Sequence, residues 1–272
     1  MDENSKVFWH EAFYEAIQLE FHQYKDALIF DNEFQLSKEA LIMDVLVIKK
    51  KPGQCINKNI GRIFQTHNIF EYKSETDSLT PHDYTKVVAY ALLYSSFNKV
   101  TVSDITVTFA LTMHPRTLIK YLENERGLTV QISETGIYYI EGDTFPIQIL
   151  ESKRLAPDEN LFLHNLRSNL SFEDIAKTIK AYESIKYFEP KNAYMDRLIK
   201  ANKNMFKEAS HMSEAAMEIL MEVSKERPEW FAEVSGIYQK KKIAQKMLLR
   251  GDTIEDVVEI TELPYETVAN LV

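Results

Sequence analysis

Two stretches decide how this chain is read: ALIMDVLVIKK at 40–50 and HNIFEYK at 67–73. The first is apolar and β-branched on both faces, as a central strand requires. Asp44 interrupts it, and a carboxylate inside such a run is costly unless it is paired or put to use. The second stretch places Glu71 and Lys73 two residues apart. Positions i and i+2 of a strand point to one face, so Glu71 and Lys73 project together while Phe70 and Tyr72 project to the other side. If the two strands are neighbours, two acids and a lysine converge.

The surrounding sequence supplies a compatible order of elements. Residues 6–25 carry Phe13, Ile17, Glu20 and Tyr24 at helical steps, which predicts an amphipathic helix. Residues 27–36 read as extended, and 49–59, KKKPGQCINKN, as a loop broken by Pro52 and Gly53. A strand is expected over 60–73. Thr80-Pro81-His82-Asp83 reads as a helix start, with Thr80 as N-cap and Pro81 in the first position. The helix continues through YTKVVAYALLYSSF, followed by a β-rich run at 102–112 and a helix at 115–127 closed by Gly127. Paired strands are expected over 136–150. Beyond residue 155 the pattern is almost wholly helical. The expected fold is therefore α/β: a core over 1–155 (helix, three strands, helix, strand) and an all-helical region over 156–272.

Composition narrows the partners. The chain has 272 residues, 45% of them hydrophobic, which suffices for a packed core. The single Cys, Cys55, excludes a disulfide framework and reads as a free thiol. No secretory or membrane-spanning pattern is visible, so a cytoplasmic location is expected. The net charge of −9 argues against a polycation that coats nucleic acid or anionic lipid. The charge does not divide with the fold, since residues 1–155 carry 16 basic and 21 acidic side chains.

Asp44 and Glu71 have the chemistry of a hard-cation site. Mg²⁺ or Mn²⁺ takes oxygen donors and keeps several waters, and the backbone carbonyl of Tyr72 would be a further donor. A metal so placed lowers the pKa of bound water and offsets charge on a phosphodiester. Lys73 would hold or deprotonate the attacking water and stabilise developing charge. The alternative is a salt-bridged Asp44–Glu71–Lys73 cluster in an unrelated α/β fold.

An acid on one strand followed by Glu-x-Lys on the next resembles the PD-(D/E)XK nuclease superfamily. The segments ALIMDVLVIKK, IGRIFQTHNIFEYKS, YTKVVAYALLY, VSDITVTF and FPIQIL resemble its transposase-like, recombination-promoting nuclease branch in bacteria. Met43 stands where the superfamily's Pro would precede the Asp. The resemblance covers residues 8–155. It implies a restriction-endonuclease-like core and an Mg²⁺-dependent DNA endonuclease with Asp44, Glu71 and Lys73 as catalytic residues. Transposition, recombination, host defence and repair are all compatible settings. It also implies a further acid from the first helix: Glu20, with Glu15 as the competing position, the alternative being that Glu20 is a boundary carboxylate paired with a nearby Lys. Lys86 and Tyr90 resemble a Gln-x-x-x-Tyr element with Lys in place of Gln, so Lys86 either contacts phosphate or lies on a solvated face. A non-catalytic nuclease-fold assembly protein is the alternative function.

Lys49, Lys50, Lys51, Lys58 and Arg62 lie around the loop between the motif strands, where they either approach a phosphate backbone or form a solvated charge run at a strand exit. His67 shares the parity of Glu71 on a regular strand and reads as packed or solvent-facing, the alternative being a residue that supports the site. The C-terminal stretch, KKKIAQKMLLRGDTIEDVVEITELPYETVANLV, has helix-turn-helix spacing, with Thr253 and Asp256 as a capping pair. From Asp252 onward it has six acids and no base, which favours packing or self-association over groove reading. Met212, Met217, Met221 and Met247 read as core. DNA binding is expected to be weak without Mg²⁺.

Overall fold

In the computed structural model, residues 3–31, 46–185, 193–202 and 228–271 are described. The chain divides into two compact units, Met1–Arg167 and Ser168–Val272.

The first unit opens with helix α1 (Glu3–Glu20) and strand β1 (Leu28–Asp31). Strands β2 (Leu46–Lys50) and β3 (His67–Lys73) follow, then helix α2 (Pro81–Asn98). Next come β4 (Ile105–Leu111), α3 (Arg116–Asn124), β5 (Thr129–Glu134), β6 (Ile137–Glu141), β7 (Ile147–Glu151) and the short α4 (Leu161–His164). The strands form one seven-stranded mixed sheet ordered β1-β2-β3-β4-β7-β6-β5. β1, β2 and β3 run antiparallel in turn, whereas β3-β4 and β4-β7 are parallel. All seven residues of β4 are buried, as a parallel strand covered on both faces requires.

Register fixes which residues share a face. Val47, Ile69, Val107 and Ile147 lie in one lateral row and belong to a core shared with Tyr84, Val87, Tyr94, Leu118 and Leu122 of α2 and α3. The opposite face takes Phe70 and Tyr72. There Phe13 of α1 stacks on the Tyr72 ring with centroids 4.4 Å apart, and Phe21 packs against Phe64. That face also holds a buried polar side chain, Asn68. Its amide donates to the Ile48 and Gln65 carbonyls, and its oxygen accepts from Gln65 N–H and Thr106 Oγ1.

The structure corrects three boundaries. The strand expected over 60–73 starts only at His67, because Asn59–Gly61 form a 3-10 turn. β5 was not expected. It is an edge strand paired only with β6, none of its residues is buried, and Val130 and Ile132 alone mark its apolar side, too short an alternation to stand out. The break expected after residue 155 falls inside the first unit. Residues beyond it still belong there, since Glu20 of α1 accepts a hydrogen bond from Leu163 N–H of α4 at 2.9 Å.

The second unit is helical throughout its described residues: α5 (Phe172–Ser184), α6 (Ala193–Ala201), α7 (Pro228–Arg250), α8 (Ile254–Thr261) and α9 (Tyr265–Ala269). Ala244, Met247, Val257, Leu263 and Val268 form a small core among the last three. Thr253 caps α8, accepting from Asp256 N–H at 3.2 Å. Met212, Met217 and Met221 lie outside the described residues. No helix among the described residues is long and apolar enough to cross a membrane.

Candidate functional site

Glu71 and Lys73 occupy the C-terminal end of β3, on the sheet face covered by α2. Glu71 is 3% exposed, and its Oε1 lies 3.2 Å from Lys73 Nζ. α2 brings two more charges. Asp83, in its first turn, sits with Oδ1 2.9 Å from Lys73 Nζ, and Lys86, one turn later, lies 3.7 Å from Glu71 Oε1. The side chains at 71, 73, 83 and 86 thus form one chain of alternating charge.

The local sequence explains why α2 delivers Asp83 so accurately. Pro81 is pre-set for the first helical position. Thr80 Oγ1 accepts from Asp83 N–H at 3.2 Å, and Asp83 Oδ2 accepts from Thr80 N–H at 2.9 Å and from its hydroxyl at 2.6 Å. This reciprocal capping box fixes the helix start. It commits one Asp83 oxygen to the cap and leaves the other for Lys73.

The electrostatics follow from these contacts. Partial burial works against ionised Asp83, but the hydrogen bonds from Lys73 and Thr80 outweigh it and hold the carboxyl down at about 2. Burial likewise works against charged Lys73. The hydrogen bond to Asp83 and the charge of Glu71 more than offset it, so the ammonium's pKa is raised. Lys73 is therefore a firm cation here. That suits orienting water and offsetting negative charge, and it does not suit taking a proton.

Asp44 lies outside the described residues. β2 and β3 are antiparallel neighbours, which meets the condition for convergence, with Leu46 opposite Phe70. Among the described residues no group of three or more His, Cys, Asp or Glu lies together in a metal-holding arrangement. Glu71 supplies one hard oxygen donor. Mg²⁺ is commonly held by one or two carboxylates with waters completing the shell, so this donor chemistry fits that ion.

Other expected site residues are placed elsewhere. Glu20 is not brought to Glu71. It lies at the end of α1 on the opposite face of the sheet, 2.8 Å from Lys58 Nζ and capping Leu163 N–H. Burial raises its pKa, against the opposing pull of Lys58. Glu15, the competing position, is also buried. The basic residues expected to ring the site are at the wrong end of the sheet. Lys49 stands opposite His67, four residues from Glu71, which is about 13 Å along a strand. Lys49 pairs with Asp31 at 2.7 Å, Lys50 donates to the Phe64 carbonyl at 2.9 Å, and Arg62 pairs with Glu134. Lys51 is exposed beside them. Only Lys86 of this set reaches Glu71. His67 is a packed residue, hydrogen-bonded through Nδ1 to Tyr94 Oη at 2.7 Å. Cys55 is exposed and free.

The sequence reading missed Asp83 as a partner of Lys73. The helix start at Thr80-Pro81 was visible, but the contact joins that start to a strand end across ten residues, and no local period reports it. Compared with protein-family models, with curated proteins and with solved structures, the chain finds no match in any of the three.

Proposed function

We propose that the first unit is an Mg²⁺-dependent nuclease of the PD-(D/E)XK plan that hydrolyses DNA phosphodiester bonds. The observation that carries this reading is the buried Glu71 carboxylate 3.2 Å from Lys73 at the end of a central strand. Ligand sites of open α/β sheets gather at the carboxyl ends of their parallel strands. In this proposal Glu71 and Asp44 hold the cation, with the Tyr72 carbonyl as a further donor. The ion supplies Lewis acidity and a more acidic bound water. Lys73 holds the attacking water and offsets charge on the phosphoryl oxygens. Asp83 fixes Lys73, and Lys86 extends positive charge to the rim. A local basic rim above an acidic metal site is compatible with the chain's net charge of −9.

One observation favours a second reading. Lys73 already has two carboxylate partners and Glu71 two ammonium partners, so the cluster is self-neutralising without metal. A scaffold of the same fold, with the helical unit binding a partner or a second copy, would need no more. Titration with Mn²⁺ followed by electron paramagnetic resonance separates the two. The nuclease reading predicts binding that Asp44→Asn and Glu71→Gln each weaken by about 10-fold or more, the scale on which removing a supporting group costs metal affinity. Binding indifferent to both substitutions sinks it.

A further inference from the structure

A second polar cluster stands two strands away on the same face. Lys73, Leu111 and Glu151 are laterally paired across β3, β4 and β7, which puts Lys73 and Glu151 in one row about 10 Å apart. Glu151 is 6% exposed. Its Oε2 accepts from Tyr138 Oη at 2.8 Å and lies 2.9 Å from His114 Nδ1. Arg154 Nη1 approaches the same oxygen at 3.7 Å and donates to Tyr138 Oη at 3.3 Å. His114 belongs to the loop that leaves β4, the strand between the two sites.

This arrangement sets up the imidazole. The Glu151 carboxylate, 2.9 Å from Nδ1, accepts from the Nδ1–H, which fixes the ring's orientation and turns Nε2 outward. Nε2 has no hydrogen-bond partner among the described residues, on a side chain 34% exposed. Burial and the neighbouring Glu151 raise the pKa of Tyr138, which keeps its hydroxyl as a donor. The charged and titratable groups that face His114 are thus Glu151 from β7, Tyr138 from β6 and Arg154 from the turn after β7.

We propose that His114 protonates the leaving oxygen of the scissile phosphodiester and that Glu151 is its positioning residue. This rests on the nuclease reading above. Water attacks phosphorus, forming the new P–O bond and releasing its proton to solvent. The P–O bond to the leaving group breaks, and its electron pair stays on that oxygen. The Nε2 proton neutralises it, and the imidazole is then recharged from solvent.

The test is single-turnover cleavage of a DNA duplex with Mg²⁺ at neutral pH. The substrates carry either the natural scissile linkage or a bridging phosphorothiolate, whose sulfur leaves without protonation. Asn at position 114 lacks the acid, so His114→Asn should slow the oxygen substrate about 10²- to 10³-fold. It should slow the sulfur substrate less than about tenfold. Glu151→Gln, which loosens the ring, should likewise slow the oxygen substrate more than the sulfur one. The inference is overturned if Glu71→Gln abolishes cleavage while His114→Asn stays within about twofold, or slows both substrates equally. The nuclease reading then stands without it. If the unsubstituted protein cleaves neither substrate, both fall together.

Discussion

Removing the Asp83 carboxylate should destabilise the first unit by about 2 kcal/mol at neutral pH, and that loss should fade in acid. Asp83 accepts from Thr80 N–H and Thr80 Oγ1 and holds Lys73 at 2.9 Å. Losing an N-terminal cap costs about 1 kcal/mol. A hydrogen bond to a charged group adds about 1.5 kcal/mol or more, reduced where solvent screens it. An independent estimate comes from its acidity. A carboxyl held down from 3.8 to about 2 stabilises the fold where it is ionised. Because the folded pKa is depressed, that stability is fully present above the unfolded value and is lost as pH falls through the folded one. The shift is worth roughly 1–2 kcal/mol after discounting for partial exposure, and about half of it should be gone by pH 3. Asp83→Ala is compared with wild type by urea denaturation from pH 7 to pH 3, read through Trp9 in a Trp230→Phe background. A gap below about 0.5 kcal/mol at pH 7, the usual size of a neutral surface substitution, refutes the reasoning. So does a gap that is constant with pH.

Three further substitutions probe the frame around the site. Phe13→Ala removes a buried ring stacked on Tyr72 and should cost about 3–5 kcal/mol in chemical denaturation. Lys58→Met strands the buried Glu20 carboxylate and should cost about 3–5 kcal/mol, of which Glu20→Gln on the same background should recover about half. Gly136→Ala should lower the melting temperature. Its φ is +80°, and a Cβ there would stand 2.8 Å from Leu155 N, so the added methyl is strained by both conformation and contact.

The parts of the fold legible in the sequence are those that local physics decides alone. The period of two placed Glu71 and Lys73 on one face, and the structure joins them at 3.2 Å. Thr80 as N-cap and Pro81 at the first position announced the start of α2, and the structure adds the reciprocal bond from Asp83 that completes a capping box. The order helix, three strands, helix, strand was likewise visible, because each strand of the central sheet is apolar on at least one face. What was not legible depends on distant partners. Glu20 sits on the apolar stripe of α1, but Lys58 and the Leu163 N–H, 143 residues later, decide its use. The lysines after β2 are close to the motif in sequence. An antiparallel strand carries them to the far end of β3. The His114–Glu151 pair joins a loop to a strand end 37 residues away, and neither residue stands in a recognisable pattern.

The central claim is that the cluster at the end of β3 cleaves phosphodiesters. Its most direct test is DNA hydrolysis by the intact chain with Mg²⁺ and with chelator, comparing wild type with Asp44→Ala and Lys73→Ala. The account predicts Mg²⁺-dependent cleavage that each substitution lowers by at least about 10²-fold, as expected for removal of a group acting in the transition state. Cleavage that persists unchanged in both variants, or none by wild type with Mg²⁺, would contradict it.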